Sequence, residues 1–224
     1  MNKNIFIACD VSSQEEALEL LSKIHNEISG IKIGLQYITK HSAEDIKELG
    51  KFNKPIFYDG KFFDIKNTLT ESIKSLKKLK ISYATVHLLN GLDALKAANK
   101  AALDINIKLL GVSILTSFDN EELQMLGFKD QIEDQVLRLI RIADKANLHG
   151  VICSPLEVKM IKKIAPKLKC FTPGIRQNKN INDQKRTMNA KEALEAGSDC
   201  LIIGRPITSG DPKKNIQEIL SSLN

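Results

Sequence analysis

Eight short apolar runs, separated by longer segments of helical periodicity, constrain the fold of this chain more than any other feature. Several runs are apolar throughout and do not alternate with polar residues, which is typical of parallel strands covered on both faces. The pattern therefore predicts a parallel sheet whose strands alternate with helices. The runs span residues 5–9, 31–33, 56–58, 83–87, 109–115, 151–153, 170–172 and 201–203.

The segments between these runs carry apolar residues at the three- and four-residue spacing of amphipathic helices. Ser12 or Ser13 can cap the first helix, with Glu15 or Glu16 in its first turn. Gly197 is a typical helix stop. The apolar stripes fall within residues 17–28, 73–79, 132–143, 158–164, 190–194 and 216–220.

Eight strands alternating with about eight helices is the count of a (β/α)8 TIM barrel. We therefore predict an α/β fold in which residues 1–224 form a single-domain barrel with short loops. An open doubly wound sheet is the alternative, but it usually has fewer strands. The first run is not followed by Gly-x-Gly-x-x-Gly, which weakens a dinucleotide-binding interpretation.

Composition excludes several other classes of protein. The net charge of +6 could suit nucleic acid, but the basic residues are mostly scattered Lys, and with no Trp and 5% aromatics there are few side chains for base stacking. We expect no nucleic-acid partner; the positive field suits a small anionic substrate.

No apolar stretch approaches the roughly 20 residues of a membrane span, and none near the N-terminus resembles a signal peptide. We therefore expect a cytoplasmic protein with no membrane partner.

The four cysteines lie far apart without any Cys-x-x-Cys spacing. A zinc site requires thiolates paired at short spacing. We therefore predict no zinc site and expect the cysteines to be buried as small apolar residues.

Charged and polar residues follow the apolar runs, where a TIM barrel places its chemistry. Asp59, Lys61 and Asp64 lie within six residues after the third run, and Lys32 lies in the second. On a strand, Asp59 and Lys61 point to the same side. Two ammonium and two carboxylate groups can then form an alternating array in which a buried Lys donates a proton. The alternative is an ion-pair network that only closes the barrel mouth.

A second polar cluster follows the last two runs. Loops after strands 7 and 8 of such barrels commonly bind phosphate. Residues 172–176 and 203–205 occupy these positions, with glycines that let the backbone approach an anion and Arg205 as a bidentate ligand. A surface ion pair is the alternative role for Arg205.

These blocks, in this order along nearly the whole chain, resemble the orotidine 5′-phosphate decarboxylase family in its type 1-like, bacterial-style short form. The most specific block is Asp59-x-Lys61-x-x-Asp64 followed by Asn67-Thr68. The other blocks include residues 6–11, 31–34, 115–117, 153–155, 172–176, 183–184 and 203–208. The chain departs from the family pattern at Gly60, Lys66, His87-Leu88 and Met188-Asn189; these departures affect loops and remove no charged site residue.

The resemblance implies a decarboxylation without cofactor or metal. Lys61 would protonate C6 of the pyrimidine as carbon dioxide leaves, and Asp59 would face the substrate carboxylate. Lys32 and Asp64 would complete the catalytic array. The residues implied to contact the substrate, orotidine 5′-phosphate, are Asp10, Lys32, Asp59, Ile65, Thr68, Thr116, Pro173, Arg176, Gln184, Gly204 and Arg205.

The resemblance also implies a homodimer with shared active sites. Asp64, Ile65 and Thr68 would belong to the partner's site, and residues 176–184 would act as a lid. The nearest alternative is the metal-dependent branch of the same structural group, which includes 3-keto-gulonate 6-phosphate decarboxylase and hexulose 6-phosphate synthase. That branch typically has a metal-binding Glu on the second strand, where Lys32 would repel a cation.

Overall fold

Parallel strands, paired in chain order and closed by pairing of the last with the first, form a barrel. The computed structural model describes residues 4–176 and 187–223. This architecture confirms the predicted (β/α)8 TIM barrel and excludes the open sheet. The strands in these ranges are β1 (Ile5–Ala8), β2 (Gly30–Ile33), β3 (Ile56–Phe62), β4 (Tyr83–His87), β5 (Lys108–Val112), β6 (Gly150–Ile152), β7 (Lys169–Thr172) and β8 (Cys200–Ile203).

Helices connect successive strands and cover the outside of the barrel. Several helices outside the predicted stripes have only four to six residues, which is too short to show a clear helical period in the sequence. The α-helices of the described residues are α1 (Gln14–Ile24), α2 (Leu35–Lys40), α3 (Ala43–Glu48), α4 (Lys66–Ser75), α5 (Leu92–Leu103), α6 (Asn120–Met125), α7 (Ile132–Lys145), α8 (Val158–Ile164), α9 (Ala190–Glu195), α10 (Arg205–Thr208) and α11 (Pro212–Ser222). Shorter 3-10 turns lie at Leu49–Phe52, Leu76–Leu79, Leu88–Asn90 and Pro155–Glu157.

Each predicted apolar run coincides with a strand, but two strand ends differ from prediction by more than one residue. β3 continues past residue 58 to Phe62, with an irregular register against β4 between Tyr58 and Phe62. Because this extension contains polar residues, a search for apolar runs does not predict it. β5 ends at Val112, before residue 115, and the Ser113 hydroxyl just beyond it donates to the Ile152 carbonyl at 3.3 Å.

Caps fix the ends of the helices as the sequence indicates. The Ser13 side chain accepts a hydrogen bond from the Glu16 backbone N–H at the start of α1. Gly197 has a φ of +102°, which a residue with a side chain rarely adopts, and it ends α9. These caps satisfy backbone groups that the helices themselves leave unpaired.

Alternate residues of the strands pack on opposite sides of the barrel wall. In β1, Ile5 and Ile7 join the core beneath the helices, whereas Phe6 and Ala8 belong to a separate interior core. At the amino ends of the strands this interior holds an aromatic plug, formed by Phe6, Phe57, Tyr83 and Phe171. The Phe6 ring lies edge-on to the others, at centroid distances of 6.3, 5.7 and 5.9 Å.

Gly30 makes room for this plug. A Cβ at that position would lie 2.2 Å from Cε1 of Phe6, which is far inside van der Waals contact. The glycine in β2 is therefore required by the ring on the adjacent strand.

All four cysteines are buried free thiols, as predicted. Residues 4–176 and 187–223 hold no group of three or more side chains suited to bind a metal ion. Within the same ranges, no helix is long and apolar enough to span a membrane.

Candidate active site

A cavity of about 450 Å³ opens at the carboxyl ends of the strands. Polar residues from β1–β3 line one side, polar residues after β7 and β8 line the other, and apolar side chains such as Val112 and Ile202 lie among them. The structure thus brings together two clusters that are far apart in sequence. The sequence-predicted residues that line it are Asp10, Lys32, Asp59, Lys61, Thr116, Pro173, Arg176, Gly204 and Arg205.

Four side chains of alternating charge, Asp10, Lys32, Asp59 and Lys61, form an ion-pair row along one side of the cavity. The Lys32 Nζ lies 3.2 Å from both Asp10 carboxylate oxygens and 3.6 Å from Asp59 Oδ2. The Lys61 Nζ donates to the same Asp59 oxygen at 2.9 Å. Asp59 therefore lies between two ammonium groups.

Burial makes this pairing necessary. The side chains of Lys32 and Asp59 are only 8% and 13% exposed, so each charge depends on its partners for stabilisation. Burial works to raise the pKa of the Asp59 carboxyl. The charges of Lys32 and Lys61 and hydrogen bonds to the carboxylate outweigh burial, so that the pKa lies below its ordinary value. Asp59 is thus ionised at neutral pH.

The backbone at Lys61 departs from a regular strand. Lys61 has a φ of +48°, in the left-handed region that costs a residue with a side chain about 1 kcal/mol. Its N–H donates to the Thr85 hydroxyl on β4 at 2.8 Å. The Lys61 ammonium therefore reaches Asp59 from an irregular stretch of β3, and not from the regular alternation that the sequence suggested.

Within its own chain, Asp64 lies outside this row; the resemblance assigns it to the site of a partner chain. It is exposed and does not line the cavity. Its N–H donates to the Asn90 side chain at 3.0 Å, and its carboxylate accepts from the Ile65 N–H at 2.7 Å. Ile65 and Thr68 are also exposed. Because β3 ends at Phe62, the chain turns outward before these residues, and Asp10 takes the fourth place in the row.

The opposite side of the cavity comes from loops after β7 and β8. Gly174 has a φ of +80°, and a Cβ on Gly204 would lie 3.4 Å from that of Ala8. Both glycines thus allow close or unusual backbone geometry where Arg176 and Arg205 reach the cavity. Gln184, the other predicted residue of this cluster, lies outside the described residues.

Two polar lining residues, Gln36 and Thr208, were missed by sequence reasoning. Gln36 lies in α2, directly after the second strand, and Thr208 is the last residue of α10. Their positions shortly after strand ends could have indicated that they line the site. Neither residue carries a charge, however, that would distinguish it from an ordinary surface residue.

Comparison with known proteins covers nearly the whole chain. The family model for "Orotidine 5'-phosphate decarboxylase / HUMPS family" matches residues 3–219. The chain is 38% identical over 221 residues to the orotidine 5'-phosphate decarboxylase of Wolbachia pipientis subsp. Culex pipiens (strain wPip), with 98% of each protein covered. It is 40% identical over 224 residues to that of Dichelobacter nodosus (strain VCS1703A), with the same coverage.

A solved structure shows the same architecture. The crystal structure of orotidine 5'-phosphate decarboxylase from Lactobacillus acidophilus matches with a TM-score of 0.85 and 33% sequence identity. The match covers 98% of each chain. The similarity therefore extends over the barrel and the elements that carry the cavity.

Proposed function

Since the chain belongs to the orotidine 5′-phosphate decarboxylase / HUMPS family, we propose that it converts orotidine 5′-phosphate to UMP and carbon dioxide. The observation that carries the proposal is the ion-pair row, with a lysine ammonium at the cavity and a carboxylate beside it. Such a site can oppose a substrate carboxylate and protonate the carbon that loses it.

Lys61 is the proposed proton donor. Loss of carbon dioxide breaks the bond between C6 and the carboxylate carbon, and the electron pair stays on C6. The Lys61 ammonium then gives its proton to C6, forming the new C–H bond of UMP, and the neutral amine regains a proton from solvent. A positioned general acid contributes about 100- to 10,000-fold to a rate. The Lys61 side chain is 33% exposed, so solvent can reach it.

Asp59 and Lys32 are the proposed electrostatic partners of this step. An ionised Asp59 beside the substrate carboxylate disfavours the charged ground state, and this repulsion disappears as neutral carbon dioxide leaves. Lys32 keeps Asp59 ionised through its ammonium, 3.6 Å from the carboxylate. Lys32 and Asp10 also face the ribose in this proposal, and Thr116 contacts the pyrimidine.

The opposite side of the cavity is the proposed phosphate site. Arg176, Gln184, Arg205 and the Gly204 backbone bind the phosphate, and Pro173 packs beside the substrate. Arginine binds phosphate through two parallel hydrogen bonds, which fixes both position and orientation. Binding energy from this remote group can serve the transition state at C6.

The reaction is proposed to need no metal. A metal-dependent member of the same group requires a cation among carboxylates on the first strands. Here the Lys32 ammonium occupies the space between Asp10 and Asp59, at 3.2 and 3.6 Å. A divalent cation beside it would meet strong repulsion. We therefore expect the activity to survive a chelator.

The active unit is proposed to be a homodimer with shared sites. Asp64, Ile65 and Thr68 are exposed on the loop and helix that follow β3, and the apolar side chains of Phe63 and Ile65 are 63% and 74% exposed. A contiguous apolar patch built around such residues can mark an interface. The partner would cover them and receive Asp64 beside its own Lys61.

Mixing two inactive variants tests the shared site. Lys61→Ala damages the site of its own chain, whereas Asp64→Asn damages that of the partner. In a mixed dimer one site carries both defects and the other carries neither, so equal mixing with subunit exchange should restore about one quarter of the wild-type activity. No gain over the separate variants would contradict shared sites.

The reaction itself is tested by the ultraviolet absorbance of orotidine 5′-phosphate mixed with the protein and a chelator. Conversion to UMP changes this absorbance, and the proposal expects the same rate with and without chelator. Activity that vanishes on chelation would favour the metal-dependent branch. A protein inactive on orotidine 5′-phosphate under all conditions would refute the proposal.

A further inference from the structure

The hydroxyl of Thr85, buried on β4, connects the backbone of Lys61 with the carboxylate that its side chain contacts. The Lys61 N–H donates to Thr85 Oγ1 at 2.8 Å, and Oγ1 lies 2.9 Å from Asp59 Oδ1. The other Asp59 oxygen accepts from the Lys61 Nζ at 2.9 Å. The three residues thus form a closed ring of hydrogen bonds that begins and ends at Lys61.

The direction of each hydrogen bond in this ring follows from its neighbours. A backbone N–H can only donate, and an ionised carboxylate can only accept. The Thr85 hydroxyl therefore accepts from Lys61 and uses its single proton to donate to Asp59. Thr85 has no exposed surface, so water cannot replace either hydrogen bond without rearrangement.

The ring holds two groups that would otherwise be free to adopt other arrangements. Lys61 has a positive φ of +48°, which persists in a residue with a side chain only where the surroundings fix it. Asp59 could rotate its carboxylate toward Lys32 alone. The Thr85 hydroxyl restrains both the irregular stretch of β3 that carries Lys61 and the carboxylate plane of Asp59.

We propose that Thr85 is a positioning residue for proton transfer: its hydroxyl sets the Lys61 ammonium relative to the Asp59 carboxylate. The inference rests on the proposed function for the role of Lys61. Thr85 does not line the cavity, so it acts through these two residues and not by touching substrate. A small displacement of a proton donor can reduce the rate about 100-fold.

The charge of Asp59 gives a second, independent measure of this role. The titratable groups around it are Lys32 on β2 and Lys61 on β3, with Asp10 beyond Lys32 and His87 at the end of β4 near Lys61. Loss of the Thr85 donor removes one hydrogen bond to the ionised form, so the pKa of Asp59 should rise.

The test compares Thr85→Val, which keeps the shape but removes the hydroxyl, with Thr85→Ser, which keeps the hydroxyl. We expect Thr85→Val to lower kcat roughly 10- to 100-fold and to change KM less than about threefold, because a charge-assisted hydrogen bond is lost. Thr85→Ser should stay within about threefold of wild type. Thr85→Ala provides the same comparison if the valine variant does not fold.

Ser198→Ala is the matched control. Ser198 is also a buried hydroxyl, but it precedes β8, on the opposite side of the closed barrel from β4, and lies 2.6 Å from Thr172 Oγ1. It should lose stability without the loss of kcat. An equal loss of kcat in Ser198→Ala, or in Thr85→Ser, would show that the hydroxyl of Thr85 has no specific role.

Titration of the Asp59 carboxyl by NMR in the free protein separates this inference from the proposed function. The pKa of Asp59 should be higher in Thr85→Val than in wild type, whatever the substrate is. An unchanged pKa with full kcat in the folded variant would overturn the inference alone. A wild-type protein that does not act on orotidine 5′-phosphate would overturn the proposed function, while the titration still tests the ring.

Discussion

The two ends of the barrel interior are built from the same strands but from opposite kinds of residue. At the amino end, Phe57 of β3 belongs to the aromatic plug, and two residues later Asp59 belongs to the ion-pair row. In β1, Phe6 lies in the plug and Asp10, just past the strand, lies in the row. Two positions in β3, and four in β1, thus separate the plug residue from the residue of the ion-pair row.

The difference shows how the same strands contribute to stability at one end and to the active site at the other. Edge-on aromatic rings bury large apolar areas without any unpaired polar group, so the plug contributes stability. In the ion-pair row, the attraction between the charges is offset by the cost of removing them from water, so the row contributes little net stability. We therefore expect substitutions in the row to affect activity and substitutions in the plug to affect folding.

The largest expected effect is the loss of activity in Lys61→Ala. Removal of the proton donor should lower kcat by about 100- to 10,000-fold. The free energy of unfolding should change by less than about 1 kcal/mol, since the side chain is partly exposed. Turnover measurements, urea unfolding and binding of a UMP-like product analogue check this. Retained turnover would contradict the role of Lys61, and lost folding would contradict the separation of the two ends.

Phe6→Ala should show the converse result, a loss of stability without a loss of activity. Phe6 lies at the amino end of the barrel interior, which the aromatic plug fills and which we call the closed end. Removing a ring that contacts three others should lower the free energy of unfolding by about 3–5 kcal/mol. The kcat of the molecules that remain folded should stay within about threefold. Phe6→Leu is the control, with a smaller loss. A large fall in kcat with unchanged stability would show that the plug contributes to activity, which would contradict the separation of the two ends.

Arg205→Ala tests the far side of the open end. Loss of a phosphate ligand should raise KM by about 10- to 100-fold, with a smaller change in kcat. Arg205→Lys keeps the charge but not the two parallel hydrogen bonds, so it should give an intermediate KM. Steady-state kinetics of the three proteins measure these changes. An unchanged kcat/KM in the alanine variant would contradict a role of Arg205 in phosphate binding.

The smallest expected effect concerns Asp199 near the closed end. Its carboxylate accepts from the Lys162 Nζ at 2.5 Å, the Lys169 Nζ at 2.9 Å and the Cys170 N–H at 2.9 Å. Burial raises the pKa of Asp199, but these hydrogen bonds and the nearby Lys162 charge outweigh it, and the net pKa is lowered. The stabilisation is therefore present above the unfolded pKa of about 3.9 and is lost as pH falls through the folded value.

Asp199→Asn should consequently lower the free energy of unfolding by about 1 kcal/mol at pH 7 and leave kcat unchanged. The difference from wild type should shrink as pH falls below about 4, because the wild-type carboxylate then becomes protonated. Urea unfolding at both pH values measures it. A stability difference that stays constant with pH would show that Asp199 acts through packing and not through its charge.

The fold was predictable because burial on both faces leaves a direct mark on the sequence. A strand between the barrel interior and the helices is buried on both faces, so several runs appeared as continuous apolar blocks. Residues at strand ends, such as Asp10 and Lys32, were also predictable, because a TIM barrel gathers these ends at one rim.

The parts that escaped prediction depend on contacts between distant residues. Thr85 is a common strand residue by type, and its link to Lys61 spans 24 positions. The positive φ of Lys61 has no signature in its own side chain. The outward turn of the chain between Asp59 and Asp64, just after β3, has no signature in their spacing. Periodicity describes one element at a time and cannot show such turns.

The short separation between the plug and the ion-pair row also restricts how the length of this chain can change. Insertion or deletion of one residue between Phe57 and Asp59 would exchange the inward and outward sets along the strand. It would turn a charge toward the helices and disturb the closed end at the same time. Descendants of this protein can therefore lengthen or shorten the rim loops, whereas the residue count within β3 has to be inherited unchanged.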